Sequence, residues 1–260
     1  MTRRAELIAT SRADDLSLRA LADVARVTAD DNARVVGGQM TSLLLTAFPV
    51  AGVDPRRTRD ADTAVTTEFA GTGLLHDRLI DLGYSATSGN SYSKAVPELA
   101  TPGMLPPEQS VDLLVPSLDG RFHSSEHGGR AFDAAPGLAL ALAAAPIVID
   151  VGATLLDGTL LEFTARVPTV EIAIIVKALT YGSRQQDRDI EDIYRLLEIA
   201  HSYSDEEIGE WRLGDAELIG ARRDSASALH ALARDRRRLG RVDVPAARLA
   251  TLTAALVTRP

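Results

Sequence analysis

The sequence predicts an α/β fold in which a mixed α/β N-terminal half precedes a helical C-terminal half, with the change near residue 168. Up to Val167-Pro168, short apolar runs bounded by glycine, proline and charged residues alternate with helical patterns, as in a mixed sheet flanked by helices. From Thr169 onward, apolar residues recur at helical spacing in a segment rich in alanine, leucine and arginine. We therefore expect one domain over residues 1–168 and a helical domain over 169–260.

The individual elements follow from periodicity and from turn residues. Apolar positions at helical spacing predict one or two helices over residues 4–28, and a strand at 33–36 leads into a diglycine that opens a helix at 39–48. Further strands are predicted at 60–66, 110–115, 147–151 and 159–163, and further helices at 73–82, 137–144, 170–181, 187–203 and on to the C-terminus. Loops are predicted at 49–57, at 85–107 with a short strand or hairpin, and at 123–136, where glycine is frequent.

Composition narrows the classes of protein. The net charge of −8 argues against a general nucleic-acid coat protein, although seven arginines between Arg222 and Arg241 form a local basic segment. Without cysteine there is no disulfide, thiolate metal site or cysteine nucleophile. The N-terminus has no long apolar run, and the apolar stretch 138–151 is too short to span a bilayer. We expect a soluble, cytoplasmic protein with no membrane partner.

Gly37-Gly38, followed by Asp60 and Asp62, is the most informative motif. A diglycine between a strand and a helix lets a phosphate approach backbone N–H groups at the positive end of that helix. Carboxylates two residues apart on a strand share one face, where they repel each other unless a cation such as Mg²⁺ or Mn²⁺ lies between them. Together they indicate a site for a nucleoside triphosphate and its metal, and hence a nucleotidyltransferase. The alternative is a plain turn and an exposed strand end.

Asp112 is the candidate for a third carboxylate. It lies within an apolar strand, where an unpaired acid is unfavourable and a metal ion would supply the missing partner. In this role it would complete the metal site and serve as the base for an attacking hydroxyl. An edge strand with Asp112 facing water is the alternative, and Asp119 and Asp150 compete with it for the role.

Lys177 lies in a predicted helix that is otherwise almost entirely apolar, so its side chain requires an anion. That anion is either a ligand phosphate or a carboxylate. Asp189 and Asp192 share a face of the next helix, and a structural salt bridge from Lys177 to Asp189 would join the two helices. The two interpretations are compatible, because an acid can orient a lysine toward phosphates.

The order of these motifs resembles the AbiEii/AbiGii nucleotidyltransferases, toxins of type IV-like toxin–antitoxin pairs that include the mycobacterial MenT toxins. The resemblance covers roughly residues 33–200 and rests on four motifs in sequence: Gly-Gly, Arg-x-Thr-x-Asp-x-Asp, Lys-Ala-Leu…Arg, and Arg-Asp-x-x-Asp-x-x-x-Leu-Leu. It implies a polymerase-beta-like nucleotidyltransferase fold with a mixed sheet, followed by a helical domain. It also implies Mg²⁺-dependent use of an NTP and, for some members, transfer of nucleotides to the acceptor end of tRNA.

Carried over by position, the resemblance implies a role for each matching residue. Gly37 and Gly38 would line the phosphates, and Thr58 stands where many relatives have a serine beside the triphosphate. Asp60 and Asp62 would bind the metal. Lys177 would contact the nucleotide, and Asp189 would be the late acidic residue of the site. Arg184 or Arg188 would contact the phosphates as well.

The acceptor is open at this level. An RNA 3′ end is favoured by the resemblance and by the arginines near residues 234–241, and an antitoxin partner would accompany a toxin. Transfer to a small hydroxylated molecule, as in antibiotic-modifying nucleotidyltransferases, suits the acidic net charge. A nucleotide-binding relative without turnover is the third hypothesis.

Overall fold

The computed structural model describes residues 1–56 and 58–260, so Arg57, at the end of the predicted loop 49–57, lies outside the described residues. Mixed α/β content is confirmed, and the strands assigned in this part of the chain all precede residue 168. The strands are β1 (Thr2–Ile8), β2 (Ala33–Val35), β3 (Asp60–Val65), β4 (Ser85–Ser88), β5 (Ser91–Ala95), β6 (Glu108–Pro116), β7 (His123–His127), β8 (Arg130–Ala135), β9 (Ile147–Thr154) and β10 (Leu160–Val167).

Helices pack between and after these strands. They are α1 (Arg12–Val27), α2 (Gly37–Ala47), α3 (Thr67–Gly71), α4 (Leu74–Asp81), α5 (Leu138–Ala143), α6 (Val170–Arg184), α7 (Asp187–Ser202), α8 (Asp205–Ile208), α9 (Gly220–Arg234), α10 (Arg236–Leu239) and α11 (Ala246–Leu256). Hydroxyl side chains begin several of them: Ser11 accepts a hydrogen bond from the Asp14 N–H at the start of α1, and Thr169 accepts one from the Ile172 N–H at the start of α6. In the described residues, no helix is long and apolar enough to cross a membrane.

The larger sheet has seven strands, and its strands carry the aspartates of the candidate site. Its main order is β2-β3-β6-β5-β4, and β8 pairs with β6 beyond the end of β5 and carries β7 on its other side. The β3–β6 and β6–β8 pairs are parallel, whereas β2–β3 and β5–β6 are antiparallel. Strand β6 therefore lies inside the sheet, and the alternative that placed Asp112 on an edge strand is wrong.

The smaller sheet corrects the prediction for the N-terminus. Residues 4–28 do not form helices throughout, because Thr2–Ile8 is a strand that pairs in parallel with β9 in the order β1-β9-β10. Ala5 is buried in this sheet while Arg4 and Glu6 on either side of it are exposed, which is the alternation of a strand with one covered face. One helix, α1, follows.

The predicted glycine-rich loop at 123–136 is also wrong. Residues His123–His127 and Arg130–Ala135 form an antiparallel hairpin, and Gly128 and Gly129 supply its turn with φ values of +58° and +75°. Phe132 and Ala134 are buried on one face of β8, and Asp133 points to the other. Glycine in this segment therefore marks a tight turn between strands rather than an irregular loop.

The main hydrophobic core runs from the smaller sheet through α2 into the C-terminal helices. It includes side chains from both predicted halves, such as Leu44 on α2, Ile174 on α6 and Leu196 on α7. A second cluster, with Leu79 and Val111, packs α1 and α4 against the opposite face of the larger sheet. Helices α2, α6 and α7 thus meet on the face of the larger sheet that carries the acidic residues.

Candidate active site

Gly37 and Gly38 begin α2, and both positions require glycine. A Cβ on Gly37 would lie 1.8 Å from the Asp62 Oδ2 atom, and Gly37 has a φ of +65°. A Cβ on Gly38 would lie 2.4 Å from an Arg56 guanidinium nitrogen and 2.9 Å from the Thr58 hydroxyl. No side chain caps this eleven-residue helix. The first N–H groups of the helix therefore receive no hydrogen-bond acceptor from a capping side chain, and they form a suitable site for an anion.

Three carboxylates lie together on the adjoining face of the sheet. Asp60 and Asp62 project from β3, and the parallel register places Asp112 of β6 directly opposite Asp62. The Ser110 hydroxyl donates a 2.7 Å hydrogen bond to Asp60 and orients that side chain. The structure thus brings together the acids that the sequence indicated, whereas Asp119 lies in an exposed turn and Asp150 in the smaller sheet.

These acids destabilise one another in their charged forms. Burial raises the pKa of the Asp62 carboxyl from 3.8 to about 6, and the neighbouring Asp112 and Asp60 add to the increase while Lys177 and Arg184 oppose it. Burial also raises the pKa of Asp112, against a hydrogen bond from Ser91. Residues whose charged form is disfavoured in a cleft are typical of functional sites, because a bound cation would relieve the repulsion.

Cationic side chains form the opposite side of the cleft. Lys177 of α6 is buried, and its Nζ atom lies 2.6 Å from Asp192 and 3.3 Å from Asp189, so the predicted salt bridge to Asp189 is present and a shorter one joins Asp192. Arg184 donates two 3.0 Å hydrogen bonds to Asp189. Arg56 makes a two-pronged contact of 3.1 and 3.2 Å with Asp192.

The result is a chain of alternating charge, Arg56–Asp192–Lys177–Asp189–Arg184, that links the segment before β3 to α6 and α7. Both aspartates are fully buried behind the cations. Although burial alone would raise it, the hydrogen bonds from Arg184 and Lys177 hold the pKa of Asp189 below its ordinary value. Asp189 thus contacts Lys177 and Arg184 but does not line the cleft itself.

The cleft between these two walls is a cavity of about 190 Å³. Its lining contains four aspartates and four cationic residues, and the full set is Gly37, Gly38, Arg56, Thr58, Asp60, Asp62, Asn90, Asp112, Leu114, Phe122, Asp133, Lys177, Arg184 and Arg188. Such a lining suits a ligand that combines phosphates with bound cations.

Sequence reasoning missed several of these residues. Asp133 fell within the predicted loop at 123–136, and the period-two pattern of β8 is the signal that could have found it. Asn90 was hidden in the polar stretch 85–107 and is 8% exposed, with its amide donating to the Leu113 carbonyl. Arg56 stood in the motif without an assigned role, and its contact with Asp192, far along the chain, has no local signal.

A larger cavity of about 520 Å³ lies on the other side of Arg56 and Thr58, between α1, α2 and the segment after α2. Apolar residues such as Leu18, Leu45 and Val53 form much of its wall. Most of these carboxylates and cations line the smaller cavity, so we take it as the candidate site.

The acids of the smaller cavity fit a hard divalent cation by donor type. Carboxylate oxygens are the ligands that Mg²⁺ prefers, and Asp60, Asp62 and Asp112 supply them from adjacent strands. Burial and, after it, the neighbouring carboxylates raise the pKa of Asp62, and a bound cation would oppose that increase. Within the described part of the chain, however, no three acidic or histidine residues converge as a completed ligand set does.

Comparison with known proteins adds no assignment: neither a protein-family model nor a curated protein matches this chain.

Proposed function

We propose that the protein is a nucleotidyltransferase with a polymerase-beta-like fold, which transfers NMP from an NTP to an acceptor hydroxyl with the aid of Mg²⁺ or Mn²⁺. One observation carries the proposal: an uncapped helix N-terminus, four strand carboxylates and four cationic side chains line the same 190 Å³ cavity. In this arrangement the glycine turn and the cations receive the triphosphate, and the carboxylates face the reacting end. The proposal agrees with the AbiEii-type resemblance of the motifs.

The residues divide the work as follows. Backbone N–H groups of Gly37 and Gly38, the Thr58 hydroxyl and the Lys177 ammonium group would hold the phosphates, with Arg184 and Arg188 at the edge of the cavity. Asp60 and Asp62, with Asp112, would hold the metal, which neutralises charge on the triphosphate and polarises the reacting phosphate.

The bond changes of the transfer are simple. The acceptor oxygen forms a bond to the α-phosphorus, and the bond from that phosphorus to the bridging oxygen breaks to release pyrophosphate. Asp112 would take the proton from the acceptor hydroxyl, since it lies opposite Asp62 on the neighbouring strand. Its raised pKa brings this carboxyl closer to the range in which a general base is effective.

For the acceptor we propose an RNA 3′ end, in a cytoplasmic toxin of a toxin–antitoxin pair. The position of α10 supports an RNA acceptor: Arg238 contacts the Gln185 side chain and lies 3.9 Å from Asp187, next to Arg184 and Arg188 at the cavity. Exposed arginines continue from that point along α9, α10 and the following turn, at positions 234, 236, 237 and 241. Such a strip would neutralise RNA phosphates leading to the cavity.

Transfer to a small hydroxylated molecule is the second candidate, supported by the net charge of −8 and by the four aspartates of the cavity. Replacing Arg236 and Arg237 by glutamate separates the two. RNA transfer should fall sharply and lose much of its salt dependence, whereas small-molecule transfer should be unchanged. Arg238 is left intact in this variant because it contacts Gln185 and Asp187.

The proposed function is tested by label transfer from each α-labelled NTP, with Mg²⁺ and total cellular RNA, in wild type and Asp62→Ala. We expect label in a tRNA-sized RNA with wild type alone. Asp243→Asn, at an exposed position in the C-terminal half, is the matched control and should retain transfer. Full activity of Asp62→Ala would refute the site. Nucleotide binding without transfer to RNA or to a small acceptor would indicate a relative without turnover.

A further inference from the structure

Asp133 is the one aspartate of the cavity to which the proposed transfer gives no role. It lies on β8, is half-buried and faces the cavity. Among residues 1–56 and 58–260, no side chain or backbone donor contacts its carboxyl group. Its carboxylate oxygens can therefore accept a hydrogen bond from a ligand bound in the cavity.

The position of Asp133 on the sheet says which part of a ligand it would meet. The glycine turn adjoins β3, Asp112 follows on β6, and β8 pairs with β6 on the side away from β3. Asp133 is opposite Leu114, two residues beyond Asp112, so strand spacing separates the Cα atoms of the two aspartates by about 8 Å. If the phosphates lie at the glycine turn, as proposed, Asp133 is on the acceptor side of Asp112.

Asn90 closes this end of the cavity and fixes its shape. Its backbone carbonyl accepts a 3.0 Å hydrogen bond from the Leu113 N–H, and its side-chain amide donates a 2.8 Å bond to the Leu113 carbonyl. Arg130 at the start of β8 donates to the neighbouring Gly89 carbonyl. Hydrogen bonds from both β6 and β8 thus hold the turn before β5 in place. Asp133 is a hydrogen-bond acceptor on the rigid part of the cavity lining beside this turn.

From this juxtaposition we infer that Asp133 accepts a hydrogen bond from the hydroxyl adjacent to the attacking one, so that the enzyme recognises the 2′,3′-diol of a terminal ribose. The inference rests on the proposed function. Two hydroxyls on adjacent carbons, each donating a hydrogen bond of about 2.7 Å, span carboxyl groups about 5 to 8 Å apart. Asp112 would receive the proton of the attacking hydroxyl, and Asp133 would hold its neighbour.

The test uses one RNA in two forms, ending in ribose or in 2′-deoxyribose, with saturating NTP and Mg²⁺. Wild type should prefer the ribose end by about 10-fold or more in kcat/KM, the usual effect of a hydrogen bond to a charged group. Asp133→Ala should lower transfer to the ribose end to the level of the deoxyribose end and leave the KM for NTP unchanged. Asp133→Asn, which keeps an acceptor oxygen, should retain part of the preference.

A binding measurement gives a readout apart from turnover. Fluorescence anisotropy of the same two RNAs with metal-free protein should show tighter binding of the ribose end to wild type and equal binding to Asp133→Ala. An undiminished preference in Asp133→Ala would overturn the inference while the proposed function stands. The inference would also be overturned if Asp133→Ala had a higher KM for NTP and required more Mg²⁺ with both RNAs, because these results would indicate that Asp133 binds the metal. Failure of wild type to label either RNA would refute the RNA acceptor, and the inference with it.

Discussion

The charged carboxylate of Asp62 should make the wild-type protein less stable than a variant with a neutral side chain at this position. In the native state the pKa of Asp62 is about 6, against 3.8 as its ordinary value. Between these values the native protein binds more protons than the unfolded chain. The contribution of Asp62 to the stability of the wild type therefore falls as the pH rises from about 4 to about 6, and its full penalty is present above that range. Asp62→Asn has no such titration and should be the more stable protein at about pH 8.

The magnitude follows from the size of the shift. About two pKa units correspond to about 3 kcal/mol at about 1.36 kcal/mol per unit. The residue as a whole is half-buried, so solvent screening reduces this figure, and we expect a gain of about 1 to 2 kcal/mol for Asp62→Asn. For a chain of this size that gain raises Tm by about 3 to 6 °C.

The assay is thermal unfolding in EDTA at a series of pH values from about 4.5 to 8, with Asp243→Asn as the control for loss of an exposed carboxylate. The difference between Asp62→Asn and wild type should grow through the window and then level off. If Asp62→Asn were less stable than wild type at about pH 8, the charged Asp62 carboxylate would not be destabilising, and the reasoning from its raised pKa would be refuted. A difference that does not change with pH would also contradict it, because packing alone would then explain the effect.

Three further predictions concern the same cavity. Mg²⁺ should raise the Tm of wild type at about pH 8, raise it less below about pH 6 where protons compete for Asp62, and leave Asp62→Asn unchanged in calorimetry. Gly37→Ala should destabilise the fold by about 1 to 3 kcal/mol in denaturant unfolding, because Gly37 has a positive φ and its new Cβ would clash with the Asp62 carboxyl group. Gly52→Ala is the control: Gly52 also has a positive φ, of +77°, but open space around it, so this variant measures the backbone strain without the clash. Asp192→Ala should cost about 3 to 5 kcal/mol in the same assay, because Lys177 would remain buried with only part of its charge compensated, and unchanged stability would show that the ion-pair chain is dispensable.

Local signals in the sequence were sufficient for the parts of the site that depend on neighbouring residues. Gly37-Gly38 begins a helix as predicted, and the spacing of Asp60 and Asp62 on a strand does place both on the cavity face. Helical spacing likewise predicted that Asp189 and Asp192 share a face, and both contact Lys177. In each case, spacing within a single element determines the outcome.

Long-range pairing explains what the sequence did not reveal. Thr2–Ile8 carries little apolar surface of its own, and its partner β9 is far along the chain, so helical spacing in the following residues dominated the prediction. Asp133 was missed for a related reason: β7 and β8 are short, β7 consists of polar residues, and β8 is stabilised by pairing with β6 on one side and with β7 on the other. Propensity within a segment does not record a partner that lies elsewhere.

The pairing of β1 with β9 also constrains how the protein is made. Strand β1 is synthesised before the larger sheet, whereas its hydrogen-bond partner β9 and the outer strand β10 are synthesised only after the last strand of that sheet. Strand β1 therefore has no sheet partner until β9 has been synthesised, and closing so long a loop slows the formation of the smaller sheet. Helix α2, which begins with the glycines of the cavity, packs against β1. We therefore expect α2 to reach its native packing late in biosynthesis, after the strands that carry the aspartates of the cavity have been synthesised.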